Sequence, residues 1–270
     1  ISTSNTYKPA IVVDAGVHAR EWLAPATATY MIKKLVASFG TDAKLTRSMQ
    51  QFDWFIIPQV NPDGYEYSRL RDRLWRKTRS RHQNFTNQPW KKNCLGVDAN
   101  RNWGFEWAGP GAVTSNSCSN IYAGPRAFSE PEIVGLRDFL IWEIPDLKIY
   151  FSLHSYGQVL LAPWGYTKKR PMNYQDQRNA ARAAVNAIKA SGGSVYTYGT
   201  ISEVMYEAAG TNIDFMANRN VPYIYGVELR PESNGIQGFS IDANKIKPTG
   251  DEMLAGILAV ADYAAAHNKL

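Results

Sequence analysis

Four histidines occur in the 270-residue chain, and two of them, His18 and His154, directly follow short apolar runs in IVVDAGVHAREW and IYFSLHSY. Glu21 stands three residues after His18, and a turn or a first helical turn carries such a pair to one side. Two histidines and a glutamate are the donor set of hydrolytic zinc sites, which keep a fourth position for water. His-x-x-Glu alone fits two unrelated polar residues at a helix start just as well, so the surrounding chemistry has to decide. Glu228 in YGVELR is a carboxylate that closes an otherwise apolar run. It fits a salt bridge to Arg230, and it equally fits a general base for metal-assisted hydrolysis. His82 and His267 lie in basic and terminal sequence and read as solvated.

These side chains converge only if the runs before them are neighbouring strands. AIVVDAG (10–16) reads as a strand, followed by a helical pattern over 22–39. QFDWFIIPQVNPDGY (51–65) repeats this with a strand and a Pro-Asp-Gly turn. Ser129 and Glu132 form a capping box for a helix, and 147–165 is strand, polar interruption, strand. Residues 178–193 form an alanine-rich helix stopped by glycines, 221–230 a buried strand, and 251–267 a closing helix. The alternation predicts a single-domain α/β fold: a mixed, mostly parallel twisted sheet with helices on both faces, an α/β/α sandwich. In such sheets, sites form at the carboxyl ends of strands.

Composition narrows the class. With 44% hydrophobic and 20% charged residues the chain is globular, and it has no apolar run long enough to span a membrane. Cys94 and Cys118 lie in loop-like sequence and are expected to pair, closing a loop worth about 3 kcal/mol of chain entropy. A disulfide, together with the sequon Asn84-Phe85-Thr86, points to a secreted protein. The net charge of +6 and the run RLRDRLWRKTRSRH (69–82) raise the possibility of nucleic-acid binding, but no recognised module accompanies them, so no nucleic-acid or membrane partner is expected.

GVHAREW, NPDGY, LWRKTRS, GVDANRNW, LHSYGQ, Tyr206 within VMYEAAG, and VELR occur in the order of the zinc metallocarboxypeptidases of the pancreatic A/B type. The resemblance runs through essentially the whole chain. It implies one Zn²⁺ held by His18, Glu21 and His154, with Glu228 as the base that activates water and Arg76 as the oxyanion donor. Asn100, Arg101 and Tyr206 match the groups that hold the substrate's terminal carboxylate, and Arg20, Arg73, Tyr156 and Phe239 match secondary contacts. The physics agrees, because a guanidinium fork binds both oxygens of a carboxylate at once. Of the six arginines in 69–82, Arg76 is assigned to the chemistry and Arg73 to substrate. Arg79 and Arg81 read as solvated or structural.

Family register places Ile213 at the pocket floor where basic-specific members carry an acid, so the resemblance is closer to the A type. Ile201, Ala208, Thr211, Asn212 and Gly226 are expected to line the pocket, with Gly226 making it roomy enough for Phe, Tyr and Leu. Asp214 is one position away, and a slip in register would give a Lys/Arg-specific enzyme instead. The third alternative is an inactive relative that binds C-terminal tails. Expected partners are peptide and protein C-termini, a pro-segment or a protein inhibitor, with the chain monomeric. Residues 1–270 are read as the catalytic domain without about 50 N-terminal residues expected from the family, and without a pro-segment. That reading predicts an unpaired strand edge near Ile11, and a cis bond is expected at Arg230-Pro231.

Overall fold

The computed structural model describes residues 1–4, 6–82 and 94–267. Six strands form one sheet among the described residues: β1 (Ala10–Ala15), β2 (Asp53–Ile57), β3 (Leu147–Ser155), β4 (Val159–Ala162), β5 (Thr197–Thr200) and β6 (Tyr223–Leu229). Their order is β2-β1-β3-β6-β4-β5. All neighbours run parallel except β4 and β6. The expected mixed, mostly parallel α/β sheet is therefore present. β1 pairs on both sides, so the strand edge expected near Ile11 is not there. The edge is β2, where Trp54 exchanges backbone hydrogen bonds with Ile1.

Strand alternation divides the core in two. Ile11, Val13, Phe151, Leu153, Tyr225 and Val227 face a layer of α1 (Leu23–Ser38), α2 (Ala43–Gln51), α5 (Tyr174–Ala190) and α8 (Ile246–Ala266). Val12, Tyr150 and Ile224 face the opposite layer, where α4 (Pro131–Asp138) and α7 (Asn212–Asn218) bury Ile133, Leu136, Ile213 and Met216. A period of two then carries Asp14, Ser152, His154, Gly226 and Glu228 onto this second face. Register sets Asp14 beside Ser152, Ser152 beside Gly226, and His154 beside Glu228. Polar chemistry thus collects at the carboxyl end of one face.

Two local readings are corrected. Pro62-Asp63-Gly64 opens α3 (Pro62–Leu70) and is not a turn: Pro62 sits in the first helical turn and Asn61 caps it, accepting from the Gly64 amide at 3.0 Å. Asn61 also donates to Val17 O and Lys77 O, which ties the loop carrying His18 to the segment carrying Arg76. Ser129 is not the N-cap of α4; Glu130 holds that position, and Ser129 donates to the Glu130 carboxylate at 2.8 Å. Pro131 follows at the first helical position, where the missing amide would have had no intrahelical partner. Neither α2 nor β5 is anticipated by pattern. Asp42 caps α2 by accepting the Lys44 and Leu45 amides, and β5 is a four-residue strand paired only to β4.

Cys94 and Cys118 form the expected disulfide. The Arg230-Pro231 bond is cis, as expected. The sequon at Asn84 lies outside the described residues. Among the described residues no helix is long and apolar enough to cross a membrane.

Candidate metal centre and substrate pocket

Gly16 turns the chain sharply after β1 at φ +71°, and a Cβ there would lie 1.9 Å from Gln59 Oε1. The turn delivers His18 beneath the sheet end. The Glu21 amide bonds back to His18 O, and Glu21 Oε1 lies 2.8 Å from His18 Nδ1. His154, from the end of β3, places its Nδ1 3.1 Å from His18 Nδ1 and 3.1 Å from Glu21 Oε2. All three side chains are buried.

Two imidazole nitrogens and two carboxylate oxygens thus face one another within the cluster. Donors held tetrahedrally around zinc at roughly 2 Å are about 3.3 Å apart, close to the spacing seen here. His18, Glu21 and His154 therefore fit a zinc ion in both donor type and arrangement. Burial alone would push the Glu21 carboxyl up, but the His18 and His154 rings outweigh this and hold it below the usual range.

The far nitrogen of His18, Nε2, lies 3.1 Å from Asp98 Oδ1. Asp98 also accepts from Arg76 Nε at 3.1 Å and Nη2 at 3.0 Å, and from the Asn100 amide at 2.9 Å. One buried carboxylate thus orients a metal-ligand histidine, the Arg76 guanidinium and the turn that carries Asn100 and Arg101. Burial disfavours its charge, yet Arg76 and His18 hold it well below the carboxylate range. Asp98 was not anticipated, although a lone acid in GVDANRNW beside a candidate binding pair was a usable signal.

Beyond the cluster opens a pocket. His18, His154, Arg76, Glu228, Asn100, Arg101 and Tyr206 are among its lining residues. Ile201, Ala208, Thr211, Ile213 and Gly226 line it with Leu161 and Met205, two residues the motifs did not reveal. Glu228 is pushed up to about 7, first by burial and then by the nearby Glu21 charge. Asn212 does not line the pocket as expected. It is buried behind the floor, where its amide donates to Tyr150 and Ser152.

Arg20, Arg73, Tyr156 and Phe239 gather beside the pocket, and none of them lines it. The Arg20 guanidinium lies 4.4 Å from the Phe239 ring centre, and Tyr156 packs edge-on against Phe239. Arg73 donates to Arg20 O and Phe239 O and lies over Trp22, so its fork is engaged in holding the 235–239 segment. The rest of the arginine run divides: Arg79 stacks on Tyr67 and Trp75, whereas Arg69, Arg71 and Arg81 are exposed. His82 bonds to buried Glu130 and is not simply solvated.

Lys77 is buried, donates to Ser117 O at 2.6 Å, and is lowered from 10.5 to about 8 by burial. Between about pH 8 and 10.5 the unfolded chain therefore holds a proton that the folded chain has released, and stability is expected to rise with pH across that window. Thermal melting of the parent and Lys77→Met over this range checks it. The rise is expected in the parent and absent in the variant.

Fold and site together define a metal-dependent hydrolase of the α/β class: a His₂Glu cluster at the carboxyl end of a mostly parallel sheet, with a carboxylate and a guanidinium beside it. A sequence model described as "Zinc carboxypeptidase" matches residues 1–256, and the chain belongs to that family. Carboxypeptidase B of Astacus astacus is 40% identical over 257 residues, covering 95% of this chain and 81% of the relative. Zinc carboxypeptidase A 1 of Anopheles gambiae is 38% identical over 260 residues, covering 96% of this chain. The chain spans only 58% of that relative's length. Among solved structures, bovine thrombin-activatable fibrinolysis inhibitor in complex with tick carboxypeptidase inhibitor superposes with a TM-score of 0.87 at 35% identity. That match covers 96% of this chain and 83% of the other.

Proposed function

We propose that residues 1–270 act as the catalytic domain of a secreted zinc-dependent exopeptidase that removes apolar and aromatic residues from peptide C-termini. The observation that carries this reading is the arrangement along one pocket: a His₂Glu donor cluster, a carboxylate in register with His154, and a buried arginine before an apolar floor.

His18, Glu21 and His154 would hold the zinc, which when bound would supply Lewis-acid polarisation and lower the pKa of water. Glu228, on the same face as His154, accepts a proton from the attacking water as its oxygen bonds to the scissile carbonyl carbon. It then returns that proton to the leaving amine as the C–N bond breaks. Arg76 has Nε and Nη2 on Asp98 and Nη1 3.7 Å from Glu21 Oε1, and Nη1 is the nitrogen that turns to the oxyanion. Arg101 donates Nε to Gly111 O at 2.9 Å and Nη1 to Asn100 O at 2.7 Å, which fixes its plane and leaves Nη2 for the terminal carboxylate. Asn100 stands beside it, and half-exposed Tyr206 at the mouth closes the set.

Ile213 and Gly226 support the apolar preference. A Cβ at Gly226 would lie 3.6 Å from Ile213 Cγ1 and 3.8 Å from Leu161 Cβ, so its absence widens the floor. The rival, basic-specific reading needs Asp214 in the pocket. Both Asp214 oxygens instead accept backbone amides, from Gly165 at 2.8 and 3.0 Å and from Tyr166 at 2.9 Å. Burial also pushes this carboxyl up to about 7.

The test is zinc analysis combined with release of C-terminal Phe, Leu and Lys from matched peptides. kcat/KM for Phe and Leu is expected to exceed that for Lys by about 100-fold, because an unpaired ammonium has no partner in an apolar pocket. Faster release of Lys rejects the preference, and zinc binding without any release supports the tail-binding alternative. The mouth of the pocket is the surface where we place a protein inhibitor, by likeness to the inhibitor complex of the related structure.

A further inference from the structure

Asp14 is a fully buried carboxylate inside the apolar run AIVVDAG, and no lysine or arginine pairs with it among the described residues. A buried charge of this kind is costly unless it is compensated. Its oxygens are taken by two hydroxyls from β3: Ser152 donates to Oδ1 at 2.7 Å and Tyr150 donates to Oδ2. Asn212 Nδ2 reaches both, at 3.0 Å to the Tyr150 hydroxyl and 2.8 Å to Ser152 Oγ. Ser152 Oγ in turn lies 3.2 Å from His154 Nε2.

We propose that Ser152, with its hydroxyl proton fixed by Asp14 and its place held by Tyr150 and Asn212, is the positioning residue that aims His154 at the metal. This rests on the zinc reading above. His154 directs Nδ1 into the donor cluster, so as a ligand it carries its proton on Nε2. A serine hydroxyl has one proton and two lone pairs. Asp14 takes the proton, which turns the lone pairs of Oγ toward the two remaining donors, His154 Nε2–H and Asn212 Nδ2. Asn100 Nδ2 also lies 3.5 Å from His154 Nε2, but Asn100 Oδ1 accepts the Asn212 amide at 3.1 Å. The nitrogen facing His154 is therefore a donor, with the wrong polarity to accept from Nε2–H.

The two ligand histidines are thus supported differently. Asp98 backs His18 directly, whereas Asp14 backs His154 through a hydroxyl. Asn212 joins this support to the pocket, because its backbone amide holds Asn100 and the next residue is the floor residue Ile213.

The test is zinc affinity measured by competition with a chromophoric chelator, without substrate, in the parent, Ser152→Ala, Tyr150→Phe and Tyr225→Phe. Tyr225 donates to Gln177 O at 2.7 Å on the opposite face of the sheet, so its variant also loses a buried hydrogen bond but none near His154. Ser152→Ala is expected to weaken zinc binding about 10–100-fold. Tyr150→Phe should weaken it less, in the same direction, and Tyr225→Phe should match the parent. Parental affinity in Ser152→Ala or Tyr150→Phe overturns the inference, as does an equal loss in Tyr225→Phe. If Ser152→Ala fails to fold, Tyr150→Phe carries the test alone. A parent protein that binds zinc yet releases no C-terminal residue refutes the proposed function and leaves this inference standing.

Discussion

Glu228→Gln is expected to lower kcat for release of C-terminal Phe or Leu by about 10²–10⁴-fold, with zinc content and KM close to the parent values. Glutamine keeps the size of the side chain and its place at the end of β6 but has no basic oxygen to take a proton from water. The donors His18, Glu21 and His154 are untouched, so metal binding persists. The substitution also removes a carboxylate that burial and the neighbouring Glu21 both disfavour in its charged form. The fold is therefore expected to tolerate it, and a melting curve recorded beside the kinetics separates lost chemistry from lost structure. A variant with parental kcat would reject Glu228 as the base and leave its pairing with His154 unexplained.

Arg76→Lys should cost about 10²–10³-fold in kcat, with KM little changed, because the contact to the oxyanion exists only in the transition state. In the parent one planar group does two jobs. Nε and Nη2 bind Asp98 at 3.1 and 3.0 Å, while Nη1, 3.7 Å from Glu21 Oε1, is the nitrogen assigned to the substrate in the proposed reaction. A lysine nitrogen is a single point and cannot span both positions. Burial opposes the Arg76 charge, but Asp98 and Glu21 outweigh it and raise the group above its ordinary range, so the cation is permanent. Arg76→Ala would add a structural penalty of about 3–5 kcal/mol by leaving buried Asp98 without its cation. A loss seen in KM alone for Arg76→Lys would place this arginine in ground-state binding.

Much of the fold was legible because its strands are short apolar runs separated by helical periodicities, and burial on both faces of a parallel sheet demands that pattern. What escaped was local. The cap position of α4 went to Glu130, which is held by Thr78 and His82 from a distant part of the chain. Pro-Asp-Gly became a helix start because Asn61 is held from two other segments. Arg79 and His82 looked solvated because their partners Tyr67 and Glu130 lie far from them in sequence.

By itself the sequence determined which residue types were available for chemistry: a His₂Glu donor set, a strand-end carboxylate and guanidinium groups in motifs of one family. Each of those signals is short-range, carried by spacing along the chain. Only the tertiary structure decided which of them meet, since that depends on the register between strands far apart in sequence. Register set His154 beside Glu228 and Asp14 beside Ser152, and packing turned Ile213 into the pocket while Asp214 was spent on backbone amides. The same three-dimensional constraint left five arginines of RLRDRLWRKTRSRH out of the pocket lining and placed Arg76 at the metal centre.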